Sequence, residues 1–566
     1  MRCQKCGKEI AADSRYCGFC GAPRRCEHPR NGSFEKKLIN AAIIAGIIAA
    51  SGIILALIMY QNKLNPVLNS PEDITDELIS DIIANRLESL TINYEFAGCP
   101  LPLEKTISRN ESDYECGSVI KSKKFIKCNS LEECEQAWGS ETPRECPLDD
   151  DDEDLYADDN YKNERLARNP FWKDHSRTPL KDIRFRVILT PQVTSLACAF
   201  EGFWNLESVN IAVGPEIKDF TRTFRDTLSF NAPLADWDVS GAVSMRQMFR
   251  KAKSFNQPLN SWNTGNVHDM RSMFYQAKNF NQPIGNWNTR NVWNMERMFY
   301  QAESFNQPVG SWDTSKVDNM FGMFEGASSF NQPIGNWNTG KVKFMGGMFR
   351  GASSFNQPIG DWNTSRVVNM YDMFREASSF NQPIGNWNTR NVWDMESMFY
   401  KAKSFNQPLD KWDTSRVDNM SYMFSEAEHF NQPIGSWDTS KVDRMSGMFK
   451  GALSFNQPIG SWNTGEVNEM TNMFRDAKAF NQPLNDWDIS DALNMEHMFD
   501  NAKAFNQPLD KWAFRGGVNM RNMFDGADSF NQPLSSWKIP KNADISGIVN
   551  NAKSYTYPNP EDERSK

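Results

Sequence analysis

Histidine is scarce in this chain of 566 residues, which contains only His28, His175, His268, His429 and His497. None of the five belongs to a recognisable nucleophile or metal-binding motif. Pairs of carboxylates are abundant, but an acidic surface produces such pairs without any function. The sequence therefore predicts a protein that is not an enzyme and has no catalytic residues.

An excess of basic residues is also missing. The chain has 62 lysines and arginines against 71 aspartates and glutamates, which gives a net charge of −9 and a pI of about 5.4. A nucleic-acid-binding protein needs a basic face for the phosphate backbone. We therefore expect no nucleic-acid partner.

Charged residues are absent between Lys37 and Lys63, and residues 41–60 are apolar apart from Ser51. A helix of that length spans about 30 Å, which is the thickness of the hydrocarbon core of a membrane. A cleaved signal peptide is the alternative, but no small-residue cleavage pattern follows this stretch. We expect a membrane helix over residues 38–60 that remains as an anchor.

The charges around this helix predict its orientation. Nine lysines and arginines lie in residues 1–37, whereas residues 61–80 contain only Lys63. The positive-inside rule therefore places the N-terminus in the cytoplasm and the rest of the chain outside it. Six later cysteines would then face an oxidising compartment and can form up to three disulfides, with free thiols as the alternative. They are Cys99, Cys116, Cys128, Cys134, Cys146 and Cys198.

Two Cys-x-x-Cys-Gly motifs lie at the N-terminus, with the cysteines Cys3, Cys6, Cys17 and Cys20. Four thiolates make a closed tetrahedral zinc site, which is structural because no position is left open for water. An iron site or a pair of disulfides is the alternative. The segment resembles the short N-terminal zinc ribbons of bacterial membrane proteins, so we expect a zinc ribbon at residues 1–25 that holds one structural zinc ion.

A repeat dominates the rest of the chain. The tetrad Phe-Asn-x-Pro begins at Phe230 and recurs every 25 residues until Phe530, thirteen times and without an insertion. The fixed residues of a typical unit are Phe280, Asn281, Gln282, Pro283, Ile284, Trp287, Val292, Met295, Met298, Phe299 and Ala302. Because a stacked repeat protein buries the same slots in every unit, this periodicity predicts a solenoid over residues 185–553.

Two kinds of local structure are expected within each unit. Val292, Met295, Phe299 and Ala302 recur at i, i+3, i+7 and i+10, which indicates one stripe of a helix or of a run of helical turns. The segment Phe280–Ile284 has the length of one short strand, although its proline removes a hydrogen bond from the ladder. Copper binding by the methionine pairs is an alternative that we disfavour, because both methionines belong to the apolar stripe.

The pattern Met-x-x-Met-Phe-x-x-Ala, followed by Ser-Phe-Asn-Gln-Pro-(Ile/Leu)-x-x-Trp-(Asn/Asp)-Thr, resembles the BspA-like bacterial surface-protein repeat, a divergent leucine-rich-repeat type. The resemblance covers about two thirds of the chain. It implies display on a cell surface and a role in adhesion or protein binding, without enzymatic activity. The expected fold class is therefore an α/β repeat solenoid of leucine-rich-repeat type, with a short strand and a helical segment in each unit.

Three further segments complete the expected organisation. Residues 61–148 form a small cysteine-containing region outside the membrane, and residues 149–184 form an acidic linker. Eight acids in the eleven residues Asp149–Asp159 repel one another and favour a solvated chain. A calcium site there is the alternative, but the stretch lacks the glycine and alternating ligands of a dedicated loop. A polar tail at residues 554–566 follows the solenoid.

Aromatic residues also occupy slots that vary between units. Rigid aromatic side chains are favoured at interfaces, because each buries a large area. The alternative is that they cover neighbouring units within the stack. The candidate binding surface consists of Trp293, Tyr300, Phe321, Phe344, Tyr371, Trp393, Tyr400 and Tyr422. The stretches Phe280–Phe299 and Phe380–Phe399 are identical at 18 of 20 positions, which predicts a periodic and multivalent face.

These features together predict a single-pass membrane protein whose external solenoid is an adhesion or recognition scaffold for a protein or a glycan on another surface. The first alternative is a transmembrane sensor that couples ligand binding on the solenoid to a cytoplasmic partner of the zinc ribbon. Residues 61–69 provide no long coiled coil for such a signal. The second alternative is an envelope spacer without a ligand.

Overall fold

The computed structural model describes residues 182–561 without interruption and, before them, residues 63–70, 89–92 and the positions 73, 75, 77–78, 81 and 86–87. The chain divides into two units, Met1–Pro66 and Val67–Lys566. The second unit contains the sheet and all the repeats.

Several predicted segments lie outside these residues. They are the zinc ribbon at 1–25, the membrane helix at 38–60 and the acidic stretch Asp149–Asp159, together with every candidate disulfide cysteine except Cys198. In the part of the chain that the structure describes, no helix is long and apolar enough to cross a membrane.

Four parallel strands precede the repeats. They are β1 (Val67–Leu68), β2 (Ser89–Ile92), β3 (Asp182–Leu189) and β4 (Ser208–Ala212), and they form one sheet in that order. Leu90 and Val187 are paired in the β2–β3 register, and both side chains are buried. Beyond β4, the Asp238 amide donates to the Val213 carbonyl (3.0 Å). The apolar core therefore continues from the sheet into the first repeat.

Each 25-residue repeat forms one coil of a solenoid. Successive coils meet at a parallel bridge of one residue, which joins Asn294 to Asn319 and Asn319 to Phe344. Fourteen such bridges run from Ser195 to Asp544, so the coils stack in a constant register. The prediction of a repeat solenoid is confirmed.

Of the two forms expected between Val292 and Ala302, the structure has the run of turns, and the helix is wrong. The Met298 amide donates to the Met295 carbonyl (3.2 Å), which is the reach of a turn. The Phe299 amide instead leaves the coil and donates to the Met323 carbonyl of the next coil (2.9 Å). An α-helix would keep these bonds within its own segment, whereas here alternate amides join neighbouring coils.

Two residues in each coil have a positive φ, and they prevent a helix from forming. In the typical unit they are Arg297 (φ 50°) and Gln301 (φ 49°), and in the next coil the same slots hold Gly322 and Gly326. Helical residues require φ near −60°, so a positive φ at every fourth residue ends the helix each time. Turns of three or four residues nevertheless give the same apolar spacing as a helix, and the predicted stripe is fully buried.

The strand predicted in Phe280–Ile284 is also absent. An asparagine side chain takes the place of a backbone ladder in this proline-containing segment. The Asn281 amide donates to Oδ1 of Asn256 in the preceding coil (2.9 Å), and Nε2 of Gln282 donates to the same oxygen (3.0 Å). The pattern recurs in every coil as far as Asn531, so a ladder of side-chain acceptors holds this side of the stack together.

Aromatic side chains and methionines fill the core. Phe299 stacks on Phe305, with ring centroids 4.0 Å apart, and on Phe324 of the next coil, with ring centroids 5.6 Å apart. The Trp287 ring stacks on Trp312, and its Nε1 donates to the Leu259 carbonyl (3.0 Å). All the repeat methionines are fully buried among these rings, which agrees with packing rather than copper binding.

Altered coils close both ends of the stack. At the start, Phe220 and Phe224 are buried in the slots that later hold Met and Phe. At the end, Tyr555 stacks on Phe530 at 6.0 Å, and the Thr556 amide donates to Oδ1 of Asn531 (3.0 Å). The contacts between coils therefore continue three residues past residue 553, where we expected the solenoid to end.

We predict that Asn381→Ala destabilises the solenoid by about 2 kcal/mol, because the Asn406 amide and the Gln407 side-chain amide lose their shared acceptor. Urea denaturation followed by tryptophan fluorescence measures the change. The control is Asn386→Ala, which removes an exposed asparagine of the same coil and should change the free energy of unfolding by less than about 0.5 kcal/mol. Equal effects of the two substitutions would contradict the role of the ladder.

Candidate binding surface

The outer side of the turn run is the part of each coil that varies. The buried slots of Val292, Met295 and Phe299 hold nearly the same residue types in every unit. The slots between them, such as those of Glu296 and Tyr300, differ from coil to coil. Backbone hydrogen bonds between coils hold the main chain in place, and an Asn or Asp side chain in the slot of Asn294 adds an acceptor for the amide two residues on. Recognition of a specific partner can therefore be encoded on this variable face.

All eight predicted aromatic residues lie on the variable face. Phe344 is the most accessible at 42% exposure, and the other seven are half-buried. Partial burial leaves part of each of these rings open to solvent. Tyr275, in the same slot as Tyr300, is buried and stacks on that ring at 4.3 Å.

A glycine allows two of the rings to meet. Phe321 and Tyr371 belong to coils that are separated by one other coil, yet their ring centroids are 5.7 Å apart. The intervening coil carries Gly346 at this slot, where a Cβ atom would lie 3.0 Å from Phe321 and 3.1 Å from Tyr371. The glycine was missed by sequence reasoning, although it occupies the slot in which the flanking coils carry rings.

Arginines extend the aromatic surface. The Arg250 guanidinium lies 4.4 Å from the ring centroid of Tyr275, and Arg375 lies 4.6 Å from that of Tyr400. Arg297 lies 5.2 Å from the centroid of Phe321. A guanidinium over an aromatic face is attracted by the quadrupole of the ring. The signal was present in the sequence, since an Arg and a Tyr 25 residues apart occupy the same slot of adjacent coils.

Buried carboxylates lie beneath the middle of this surface. Oε1 of Glu325 is 3.5 Å from Nη1 of Arg350, which is also 3.2 Å from Oδ2 of Asp372. Burial raises the pKa of Glu325 to about 7, although the nearby arginines act in the opposite direction. Burial also raises the pKa of Asp372. Glu325 is therefore only partly ionised at neutral pH.

The described residues contain no group of three or more His, Cys, Asp or Glu side chains that could hold a metal ion. The predicted zinc ligands Cys3, Cys6, Cys17 and Cys20 lie outside those residues. Cys198 is buried in the first turn of the stack and is disulfide-bonded.

Stacked coils with a constant core and a variable outer face define a solenoid repeat protein. A family model described as "Mycoplasma protein of unknown function, DUF285" matches residues 194–310, 293–411, 380–483, 404–512 and 457–561. The chain belongs to this family. A second model, described as a zinc-ribbon domain, matches residues 2–24, which contain all four predicted zinc ligands.

No curated protein matches the chain. Among solved structures, the chain is similar to one titled "Crystal structure of TLR13-ssRNA13 complex", with 9% identity. The match covers 66% of this chain and 60% of that one, with a TM-score of 0.20. A likeness at this level carries no argument about fold or ligand.

We predict that Glu325 makes the solenoid less stable as the pH rises from about 4.5 to about 7. Its folded pKa is raised above the ordinary value of 4.5, so the folded state holds the proton after the unfolded state has released it. The associated stability is complete below pH 4.5 and is lost as the pH approaches 7, by up to about 3 kcal/mol. Glu325→Gln should therefore reduce this fall.

The urea midpoints of the wild type and of Glu325→Gln are measured at the lower and at the upper pH. The fall of the midpoint between the two pH values is then compared for the two proteins, and the difference in this fall isolates Glu325 from the other carboxylates. Glu466→Gln, at an exposed position of the variable sequence, is the matched control and should leave the wild-type pH dependence unchanged. An unchanged pH dependence in Glu325→Gln would refute the assignment.

Proposed function

We propose that the solenoid is a recognition scaffold that binds a protein or a glycan on another surface. The observation that carries this proposal is the difference between the buried slots and the outer slots of each coil. One set of slots is constant and buried, while the outer slots change and accumulate aromatic residues and arginines. Tyr, Trp and Arg are the residue types that dominate binding energy at interfaces. A spacer without a ligand has no physical need for such a surface.

We further propose that the chain is held in a membrane through residues 38–60, with the solenoid outside the cytoplasm. Two observations support this arrangement. The apolar stretch is flanked by basic residues on its N-terminal side. The disulfide at Cys198 belongs to a compartment that permits such bonds.

The zinc ribbon would then lie on the cytoplasmic side, where thiolates stay reduced. Cys3, Cys6, Cys17 and Cys20 are the residues that would hold the zinc, and four thiolates suit this metal. A metal bound by four cysteines cross-links a small domain and adds no catalytic chemistry.

The topology predicts the outcome of protease treatment of intact cells. Antibodies against the two ends of the chain should report loss of the C-terminal epitope and survival of the N-terminal one. Detergent lysis before the treatment is the control and should remove both epitopes. Protection of the repeats in intact cells would overturn the external location.

Substitutions on the aromatic surface test whether the solenoid binds a partner there. We predict that the double variant Phe344→Ser and Tyr400→Ser lowers binding of the fluorescent full-length protein to intact epithelial or bacterial cells at least about tenfold, as expected for two interface residues. Flow cytometry measures the binding. Leu493→Ser, which replaces an exposed leucine in another part of the solenoid, is the matched control. Wild-type binding by the double variant would exclude this face.

A further inference from the structure

The variable face carries one surface twice. Phe280–Phe299 and Phe380–Phe399 differ only at Asn294 against Asp394 and at Arg297 against Ser397, and a second matching segment follows in the next coils. There, residues 312–319 and 412–419 differ only by Lys316 in place of Arg416. Residues 300–311 and 400–411 differ at five positions between these segments, so each copy consists of two matching segments in adjacent coils.

The contacts of the outer side chains are duplicated as well. Nδ2 of Asn291 donates to the Gly265 carbonyl at 2.8 Å, and Nδ2 of Asn391 donates to the Ser365 carbonyl at the same distance. Oε2 of Glu296 accepts from Asn319 at 2.9 Å, and Oε2 of Glu396 accepts from Asn419 at 2.6 Å. These two contacts are the same at both places, whereas Arg271, whose guanidinium lies 5.6 Å from the Trp293 ring centroid, is replaced by Tyr371 beside Trp393.

We define subsite 1 by Arg290, Trp293 and Glu296, and subsite 2 by Arg390, Trp393 and Glu396. Both tryptophans are half-buried and both arginines are exposed. Neither arginine forms an ion pair with a residue that the structure describes. In the three coils that separate the copies, the tryptophan slot holds Asp318, Lys343 and Val368.

The relation between the subsites points to the shape of the ligand. They are four coils apart, which corresponds to about 19 Å at the spacing of parallel strands, and the chain runs through both in the same direction. The operation that relates them is therefore close to a translation along the solenoid. A two-fold symmetric protein presents its two patches by a rotation, whereas a linear polymer repeats by translation.

The chemistry of each subsite points to the class of polymer. A single indole offers one flat apolar face, and an arginine, an amide and a carboxylate surround it in sequence. Such a set suits a ring that carries many hydroxyl groups, and its mixed charge selects for neither a polyanion nor a polycation. A protein partner would require a more continuous apolar patch at each subsite.

We propose that subsites 1 and 2 bind one linear, uncharged polysaccharide at two points along its chain. This inference rests on the proposed function, because it names the ligand of that same scaffold. Simultaneous binding makes the second contact intramolecular, so a chain that spans both subsites binds about 100-fold to 10,000-fold more tightly than one that reaches a single subsite.

Calorimetric titration of the full-length protein with chitin, cellulose and galactan oligosaccharides tests the proposal. Oligomers too short to span about 19 Å should bind at two equivalent sites per chain, whereas long oligomers should bind once and at least about 100-fold more tightly. Trp293→Ala and Trp393→Ala should each leave one binding site for short oligomers. Long oligomers should then bind these variants no more tightly than short ones do. The double variant should bind neither.

Lys343→Ala, in the same slot of an intervening coil, is the matched control and should bind as the wild type does. Arg290→Ala is a second change, at an exposed position, that should weaken subsite 1 without altering the core. The proposal is overturned if none of the three oligosaccharides binds, if short oligomers occupy a single site, or if one tryptophan substitution abolishes all binding. If oligosaccharides fail while Phe344→Ser and Tyr400→Ser still reduce cell binding, the scaffold stands and its ligand is a protein.

Discussion

The solenoid depends on one constraint: each coil must present its donors and acceptors in register with those of the coil beside it. Three independent ladders impose the same 25-residue period. Asn281 reaches back to Asn256, the Trp287 indole reaches back to the Leu259 carbonyl, and the Thr289 hydroxyl reaches forward to the Asp313 carbonyl. An inserted residue would break at least one of these bonds and leave a buried polar group without a partner. The uninterrupted period of the sequence follows from this physical requirement.

The sequence predicted the architecture better than it predicted the local backbone. Periodic Phe, Trp and Met identified the buried slots correctly, because burial depends on position within the period and not on the kind of turn. The same spacing suggested a helix over Val292–Ala302, since three-residue and four-residue turns share the helical periodicity. The glycines at 322, 326, 347 and 351 carried the missing information: they recur four residues apart, at the two slots where φ is positive.

The proline objection to a strand in Phe280–Ile284 was sound, but its resolution was not visible in the sequence. Because no backbone ladder forms in this segment, its remaining donors need another acceptor, and the Asn256 side chain accepts from two of them. The candidate surface was predicted in composition but not in its contacts. Gly346 and the arginines beside Tyr275 and Tyr400 acquire their roles only when residues 25 positions apart become neighbours in space.

The residues found at the positive-φ slots give a further argument that the outer side chains have a function. Glycine adopts this conformation without strain, whereas other residues lose about 1 kcal/mol each. Twenty-one of these slots nevertheless hold side chains, among them Arg297 and Tyr422. A frame selected for stability alone would place glycine at all of them, as it does in the coil of Gly347 and Gly351. The ladders stabilise the coil enough to tolerate this strain, and they hold the outer side chains at fixed separations. Binding modules on a flexible linker can adjust to ligands of different lengths. On a scaffold with fixed separations, the gain in affinity from a second contact depends sharply on the length of the ligand.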